Sequence, residues 1–288
     1  MGAETDAASP PSASVQGKRS LPDRGVGAHR GGPQHGPENT LEAFRRADAL
    51  GVHQIEFDVR RTQDGEIVVI HDASVDRTTN GCGKVEELCL EEVRRLDAGS
   101  GERIPTLSEA LCTLPGDVWI NIQIKRGEPI AAAVALRVIE AGRADQVLLA
   151  CGNAAGRAAM GVHSGLRICN LARQQTRAAY LDHAVAVGSS FIQFHYLRGR
   201  VEPEIVERAH REGLSVNFVC APKPSDHELL ALFDAGVDFI LVDDLDQGLE
   251  VAARLGIAPL SRGDDPLGSA ASLASAPASP GRGDQQSE

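Results

Sequence analysis

Between residues 25 and 260 the chain alternates short apolar runs with longer segments of helical period. The apolar runs are GVGAH (25–29), QIEFDV (54–59), EIVVIH (66–71), VWINIQIK (118–125) and QVLLAC (146–151). They continue with LRICNLA (166–172), FIQFHY (191–196), LSVNFVC (214–220) and VDFILVD (237–243). Runs this short, rich in Val, Ile and Phe, suit strands. Between them NTLEAFRRADALG sets Leu41, Phe44, Ala47 and Leu50 at helical spacing, with Asn39 or Thr40 available as N-cap and Gly51 as terminator. EPIAAAVALRVIEAG, EPEIVERAHREG and SDHELLALFDAG each end in glycine and read as helices in the same way.

Repeated strand–helix units predict an α/β protein, a (β/α)₈ TIM barrel, with a doubly wound sheet as the alternative. Nine runs compete for eight places. The link RRTQDG between the second and third runs is too short for a helical crossover, so one run is surplus or forms a side hairpin. Residues 73–117 read as a small inserted segment before the fourth strand, with helices expected near 85–96 and 106–114. The barrel domain is therefore expected over 25–260. Residues 1–24, rich in Ala, Ser and Pro without a leader-like apolar stretch, and the low-complexity 261–288 are expected to be disordered tails.

Hydrophobic residues make up 42% of the chain but aromatics only 3%, so the core must rest on Ala, Val, Leu and Ile. A net charge of −11 argues against a nucleic-acid or anionic-membrane surface, but a few local cations still suffice for a small anionic substrate. No apolar run approaches the roughly 18 residues of a membrane span, so no integral membrane segment is expected. The six cysteines (82, 89, 112, 151, 169, 220) are scattered and several lie in apolar runs. That pattern suits reduced core thiols in a cytoplasmic protein.

Polar residues collect at the ends of the strands, where barrels gather their chemistry. The first run ends in His29-Arg30-Gly31, the third in His71-Asp72, and the fourth alternates Asn121, Gln123 and Lys125 with isoleucines. Glu56 and Asp58 sit two apart, on one face of a strand. Two inward carboxylates repel unless compensated. A hard divalent ion, Mg²⁺ or Ca²⁺, would resolve this, as would a salt bridge to Arg30 or Lys125. His29 and His71 form a candidate acid–base pair, Arg30 and Lys125 candidate phosphate ligands, and His195 a candidate residue of the barrel mouth. The remaining histidines read as loop or helix surface.

The segment HRGGPQHGPENTLEAFRRADALGVHQIEFDVRRTQDGEIVVIHDASVDRTTNGCG, with LDAGSGERIPTLSEAL, VWINIQIK and GLSVNFVCAPKPSDHELLALFDAGVDFILVDD, resembles the glycerophosphodiester phosphodiesterase family over about 25–245. The ordered set HRG, PENT, E-x-D, D-G-x-x-V-x-x-H-D and R-T-T-x-G is highly specific. The resemblance implies a TIM barrel, a divalent metal, and hydrolysis of a small phosphodiester such as glycerophosphocholine to sn-glycerol 3-phosphate and an alcohol. It makes His29 and His71 the acid–base histidines, Arg30 and Lys125 the phosphate-side cations, and Glu56 and Asp58 metal ligands. It also makes PENT the cap of the first helix, with Glu38 buttressing Arg30.

Two departures stand out. The family's third metal ligand is a glutamate, and here that position is Gln123; its Trp-Thr near the end of the penultimate strand is replaced by VNFVCAP. An amide oxygen still coordinates a hard cation but brings no charge, so the expectation is weaker metal binding, not its loss. Alternative readings are a catalytically impaired member that binds metal or phosphodiester, or a lyase-type relative that releases a cyclic phosphate.

Overall fold

The computed structural model describes residues 20–125, 129–174 and 176–262. Of the tails expected over 1–24 and 261–288, residues 1–19 and 263–288 lie outside the described residues.

The chain opens with β1 (Gly25–Ala28), α1 (Leu41–Leu50), β2 (Gln54–Arg61) and β3 (Ile67–Val69). After α2 (Leu90–Val93) and α3 (Leu107–Thr113) come β4 (Trp119–Ile124), α4 (Ala131–Glu140), β5 (Val147–Cys151) and α5 (Asn153–Val162). Then follow β6 (Arg167–Asn170), α6 (Arg177–Ala186), β7 (Phe191–His195), α7 (Pro203–Arg211) and β8 (Ser215–Val219). The described chain closes with α8 (Asp226–Asp234), β9 (Phe239–Val242) and α9 (Leu245–Arg254). β1 pairs in parallel with both β2 and β9, and the remaining pairs β2–β4, β4–β5, β5–β6, β6–β7, β7–β8 and β8–β9 are also parallel. The result is a closed eight-stranded (β/α)₈ barrel.

The ninth strand is β3, which runs antiparallel to β2 with Val69 opposite Val59. The third apolar run is thus the side hairpin, and VWINIQIK, fourth along the chain, is third in the barrel. Inserted residues fold over β3 around a small second core of Val68, Ile70, Val75, Val85, Val93, Ala98 and Ile104. The end of 73–117 belongs instead to the barrel. There α3, closed by a Thr106/Glu109 capping box, buries Leu107, Ala110 and Leu111 in the main core and serves as the crossover from β2 to β4.

Strand alternation divides the residues between two faces. Ile55, Phe57, Val59, Ile120, Ile122 and Ile124 join the helix-facing core. The interior holds Leu148, Ala150, Cys169, Phe191, Val219, Phe239 and Leu241, with Trp119 edge-on to Phe191 at 5.4 Å. Four buried amides also lie inside: Asn121 donates to Gln54 Oε1 (3.4 Å) and Gln193 Oε1 (3.2 Å), and Asn217 donates to Gln54 Oε1 (3.2 Å). Among the described residues no helix is long and apolar enough to cross a membrane.

One histidine departs from the surface assignment. His53 is 2% exposed; its Nδ1 accepts from the Val26 amide at 3.1 Å and its Nε2 meets the Ala258 carbonyl at 3.1 Å. Its ring occupies space that only a glycine leaves open, since a Cβ on Gly25 would lie 2.2 Å from His53 Cγ. The hydrophilic look of GVHQ conceals this because the partner is distant in sequence.

Candidate active site

At the C-terminal end of β1 the chain makes one tight turn, His29–Gly31. Arg30 takes a left-handed conformation (φ 51°), followed by Gly31 (φ 83°), where a Cβ would lie 2.9 Å from the Phe44 ring. The turn aims the Arg30 amide inward, where it donates to Glu56 Oε2 at 2.9 Å. The Arg30 guanidinium is held by Glu38 at 3.1 Å, as the sequence suggests. Thr40 caps α1 by accepting from the Ala43 amide. Asn39 (φ 60°) exchanges bonds with Asp58: its Nδ2 donates to Oδ2 at 3.2 Å, and the Asp58 amide donates to its Oδ1 at 3.3 Å.

His71 arrives by an unexpected route. It does not end a barrel strand; the antiparallel arm β3 carries it back alongside β2. The Ile70 amide bonds the Asp58 carbonyl at 2.9 Å, and Arg60 Nε bonds the His71 carbonyl at 3.0 Å. Both histidines are backed by carboxylates: His29 Nδ1 lies 2.7 Å from Asp243 Oδ1 and His71 Nδ1 lies 2.6 Å from Asp72 Oδ1. The backing differs, because Asp72 also accepts from Arg77 Nε at 2.6 Å, while Arg77 pairs with Glu38 as well.

Glu56 and Asp58 are 2% and 1% exposed on the inner face of β2. Burial, then the charge of Asp58, raises the Glu56 carboxyl above its usual range. Burial works in the same direction on Asp58, but Lys125, His71 and Arg30 outweigh it and hold that carboxyl low. Lys125 Nζ stands 2.5 Å from Asp58 Oδ1 and Arg30 Nε 3.8 Å from Oδ2. Burial pulls the His29 imidazole down, yet its bond to Asp243 and the charge of Glu56 reverse this and leave it raised. His71 is lowered by burial, with the nearby cations Lys125 and Arg30 opposing the pull of Asp58.

Gln123 is paired in register with Asp58 across β2 and β4, so its side chain shares their inner face. It lines a cavity of about 900 Å³ together with Lys125. Two buried carboxylates beside an amide oxygen form an all-oxygen donor set, and the raised Glu56 marks charge crowding that a cation would relieve. That set fits a hard divalent ion. A different cluster, His35, Asp244 and Asp246, has ligand atoms within 4.8 Å of one another. It contains none of the expected ligands, and its Asp244 is occupied as the N-cap of α9.

His195 ends β7 on the inner face, with its ring stacked on Tyr196 at 4.6 Å and its Nδ1 accepting from the Leu197 amide. Burial lowers it, and then the charge of His29, its neighbour at the mouth. At the end of β8, where the family's Trp-Thr would fall, Val219 faces the interior and Cys220 the helices. Sequence reasoning did not single out Asp243, Asp72 or Arg77. Their signals were present in the terminal VDD, in HD and in R-T-T-x-G, but their pairings span up to 214 residues.

A family model described as the glycerophosphoryl diester phosphodiesterase family matches residues 29–247. A glycerophosphodiester phosphodiesterase of Caldanaerobacter subterraneus subsp. tengcongensis is 34% identical over 236 residues, covering 75% of this chain and 93% of that protein. Among solved structures, a glycerophosphodiester phosphodiesterase from Agrobacterium tumefaciens superposes with a TM-score of 0.68 at 27% identity, covering 78% of this chain and 98% of that one. An Oleispira antarctica phosphodiesterase in complex with the product sn-glycerol-3-phosphate superposes with a TM-score of 0.67 at 23% identity, covering 81% and 96%. That last likeness concerns the fold alone.

Proposed function

The chain belongs to the glycerophosphoryl diester phosphodiesterase family, and from that premise we propose that it hydrolyses glycerophosphodiesters to sn-glycerol 3-phosphate and an alcohol, with His29 and His71 moving the protons. The observation that carries this reading is the convergence of two carboxylate-backed histidines, Arg30 and Lys125 on one buried carboxylate pair.

Glu56, Asp58 and Gln123 would hold a divalent ion, which supplies Lewis-acid polarisation of the phosphoryl oxygens. Arg30 and Lys125 fix the non-bridging oxygens, Arg30 by its planar fork and Lys125 as a point charge. Nδ1 of His71 is tied to Asp72, so Nε2 is the atom that accepts a proton from the attacking hydroxyl. Burial and the cations Lys125 and Arg30 lower His71, and Arg77 shares the Asp72 carboxylate behind it, so His71 stays neutral and basic. Asp243 has no such competing cation among the bonds described, so it favours the protonated form of His29. His29 then delivers its proton to the departing alcohol. His195, at the same mouth, lines the path to the substrate.

Product analysis of glycerophosphocholine incubated with Mg²⁺ or Ca²⁺, against a chelated control, tests this. Release of sn-glycerol 3-phosphate is expected, and only with the ion. A cyclic glycerophosphate as end product makes the chain a lyase. No product at all supports the impaired, binding-only reading, which Gln123 alone favours.

The histidine assignment has a pH signature. His29 is raised, so its donor form persists below that pKa and is lost as pH rises through it; this sets the alkaline limb of kcat/KM. Asp243→Asn replaces the carboxylate by a neutral amide, so the charge that raises it is lost and the bond no longer favours the protonated ring. The alkaline limb is expected to move to lower pH while the acid limb, set by His71, stays put. An unmoved alkaline limb contradicts the assignment.

A further inference from the structure

The cavity that begins at Gln123 and Lys125 does not end there. It extends past Asn153 at the start of α5 to the loops that follow β6 and β7, where Arg173, Gln174 and Arg198 line it. At about 900 Å³ it lies near the upper end of volumes typical for small-molecule sites. A single phosphodiester with a small alcohol leaves much of it unfilled.

The charges in it are unevenly matched. Lys125 faces Asp58. Arg173 and Arg198 differ even from the arginines outside the lining, of which Arg30 faces Asp58 and Glu38, Arg77 faces Glu38 and Asp72, and Arg177 faces Glu202. Among the described residues, the side chains of Arg173 and Arg198 carry no hydrogen bond or ion pair. Arg173 is placed by a left-handed backbone (φ 60°), and Arg198 by the short turn Tyr196–Arg198 that continues from His195. In a chain of net charge −11, two guanidinium groups on one cavity wall that no described residue neutralises are not the product of a generally basic surface. Guanidinium pairs match phosphate oxygens by bidentate bonds, which a neutral or cationic head group cannot supply.

We propose that Arg173 and Arg198 form a second anion subsite, and that the preferred substrate carries a further phosphate group beyond the one that is cleaved. This rests on the phosphodiesterase reading above, since the first phosphate is the one held near Lys125. It favours phosphodiesters whose alcohol is itself phosphorylated over those bearing choline or ethanolamine.

The test compares two probes that differ by one glycerophosphate unit, whose only charge is its phosphate: glycerophosphoglycerol, with one phosphate, and bis(glycerophospho)glycerol, with two. Calorimetric binding to the whole protein, with chelator present to prevent turnover, gives the affinity ratio. The two-phosphate probe is expected to bind about tenfold tighter at low salt, an advantage that shrinks as salt is added. In the Arg173→Ala/Arg198→Ala double variant the ratio falls towards one, whereas Arg200→Ala, which removes a nearby exposed charge outside this cavity, leaves it unchanged. Both arginines are exposed, so folding is not at stake. A ratio near one in the native protein, a ratio that survives the double substitution, or no detectable binding of the two-phosphate probe overturns the proposal. Because the readout is affinity, a protein that binds with the expected ratio yet hydrolyses neither probe refutes the hydrolase reading and not the subsite.

Discussion

Replacing His71 with alanine is expected to lower kcat by about 10³-fold, within the range by which a positioned general base accelerates a reaction. His71 is held in place by its backbone, through Ile70 to Asp58 and through Arg60 to its own carbonyl, and its side chain is about a third exposed. Removing the ring therefore leaves no buried cavity, and the melting temperature should stay close to that of the native protein. His29→Ala should cost kcat a comparable factor. The double variant should be little worse than either single one, because the two residues act in one proton-transfer cycle. Steady-state rates on glycerophosphocholine, with thermal unfolding as a control, decide the matter. If both single variants keep native turnover, the chemistry lies elsewhere in the mouth.

The second large effect concerns Gln123→Glu. A carboxylate at this position would stand in register with Asp58 and add a full negative charge to a site where Glu56 is already raised by burial and by Asp58. Two opposite consequences follow from that one charge. Without metal, repulsion among three inward carboxylates should lower the melting temperature near neutral pH. With metal, the added attraction should tighten ion binding at least about tenfold, since one more close charge pair at an intermediate dielectric is worth several kcal/mol before desolvation. Calorimetric titration with Mg²⁺ and Ca²⁺ and unfolding with and without the ion read both signs. An unchanged ion affinity would show that position 123 does not face the ion. A rise in turnover at limiting metal would show that the amide is what holds the native chain back.

Much of the site could be read before any fold was known, because period-two alternation is a local property. Glu56 with Asp58, and Asn121 with Gln123 and Lys125, had to share a face once their segments were strands. Adjacent pairing of β2 and β4 then puts the two sets side by side. The start of α1 was equally legible through the family resemblance, which made PENT both the cap for α1 and the source of the acid for Arg30.

Other features depended on partners far along the chain. His53 looked like surface until Gly25 and Ala258 closed around it. The run containing His71 looked like a barrel strand; its short link to β2 showed that something was surplus, but not that it folds back antiparallel. Asp243 was visible as the last residue of VDFILVD, just past β9, yet its role required the barrel to close and bring β9 beside β1.

The sequence by itself determined the alternation of strands and helices, the family, and which side chains the strands could present inward. These follow from side-chain periodicity and turn chemistry, which act within a few residues. Only the tertiary structure decided how the two histidines differ, with Asp243 bonded to no other cation among the described residues behind one and Asp72 bridged by Arg77 behind the other. It alone also brought Arg173 and Arg198 onto the cavity of Lys125. Electrostatic effects of this kind depend on distance through space and on burial, and neither is set until the barrel closes.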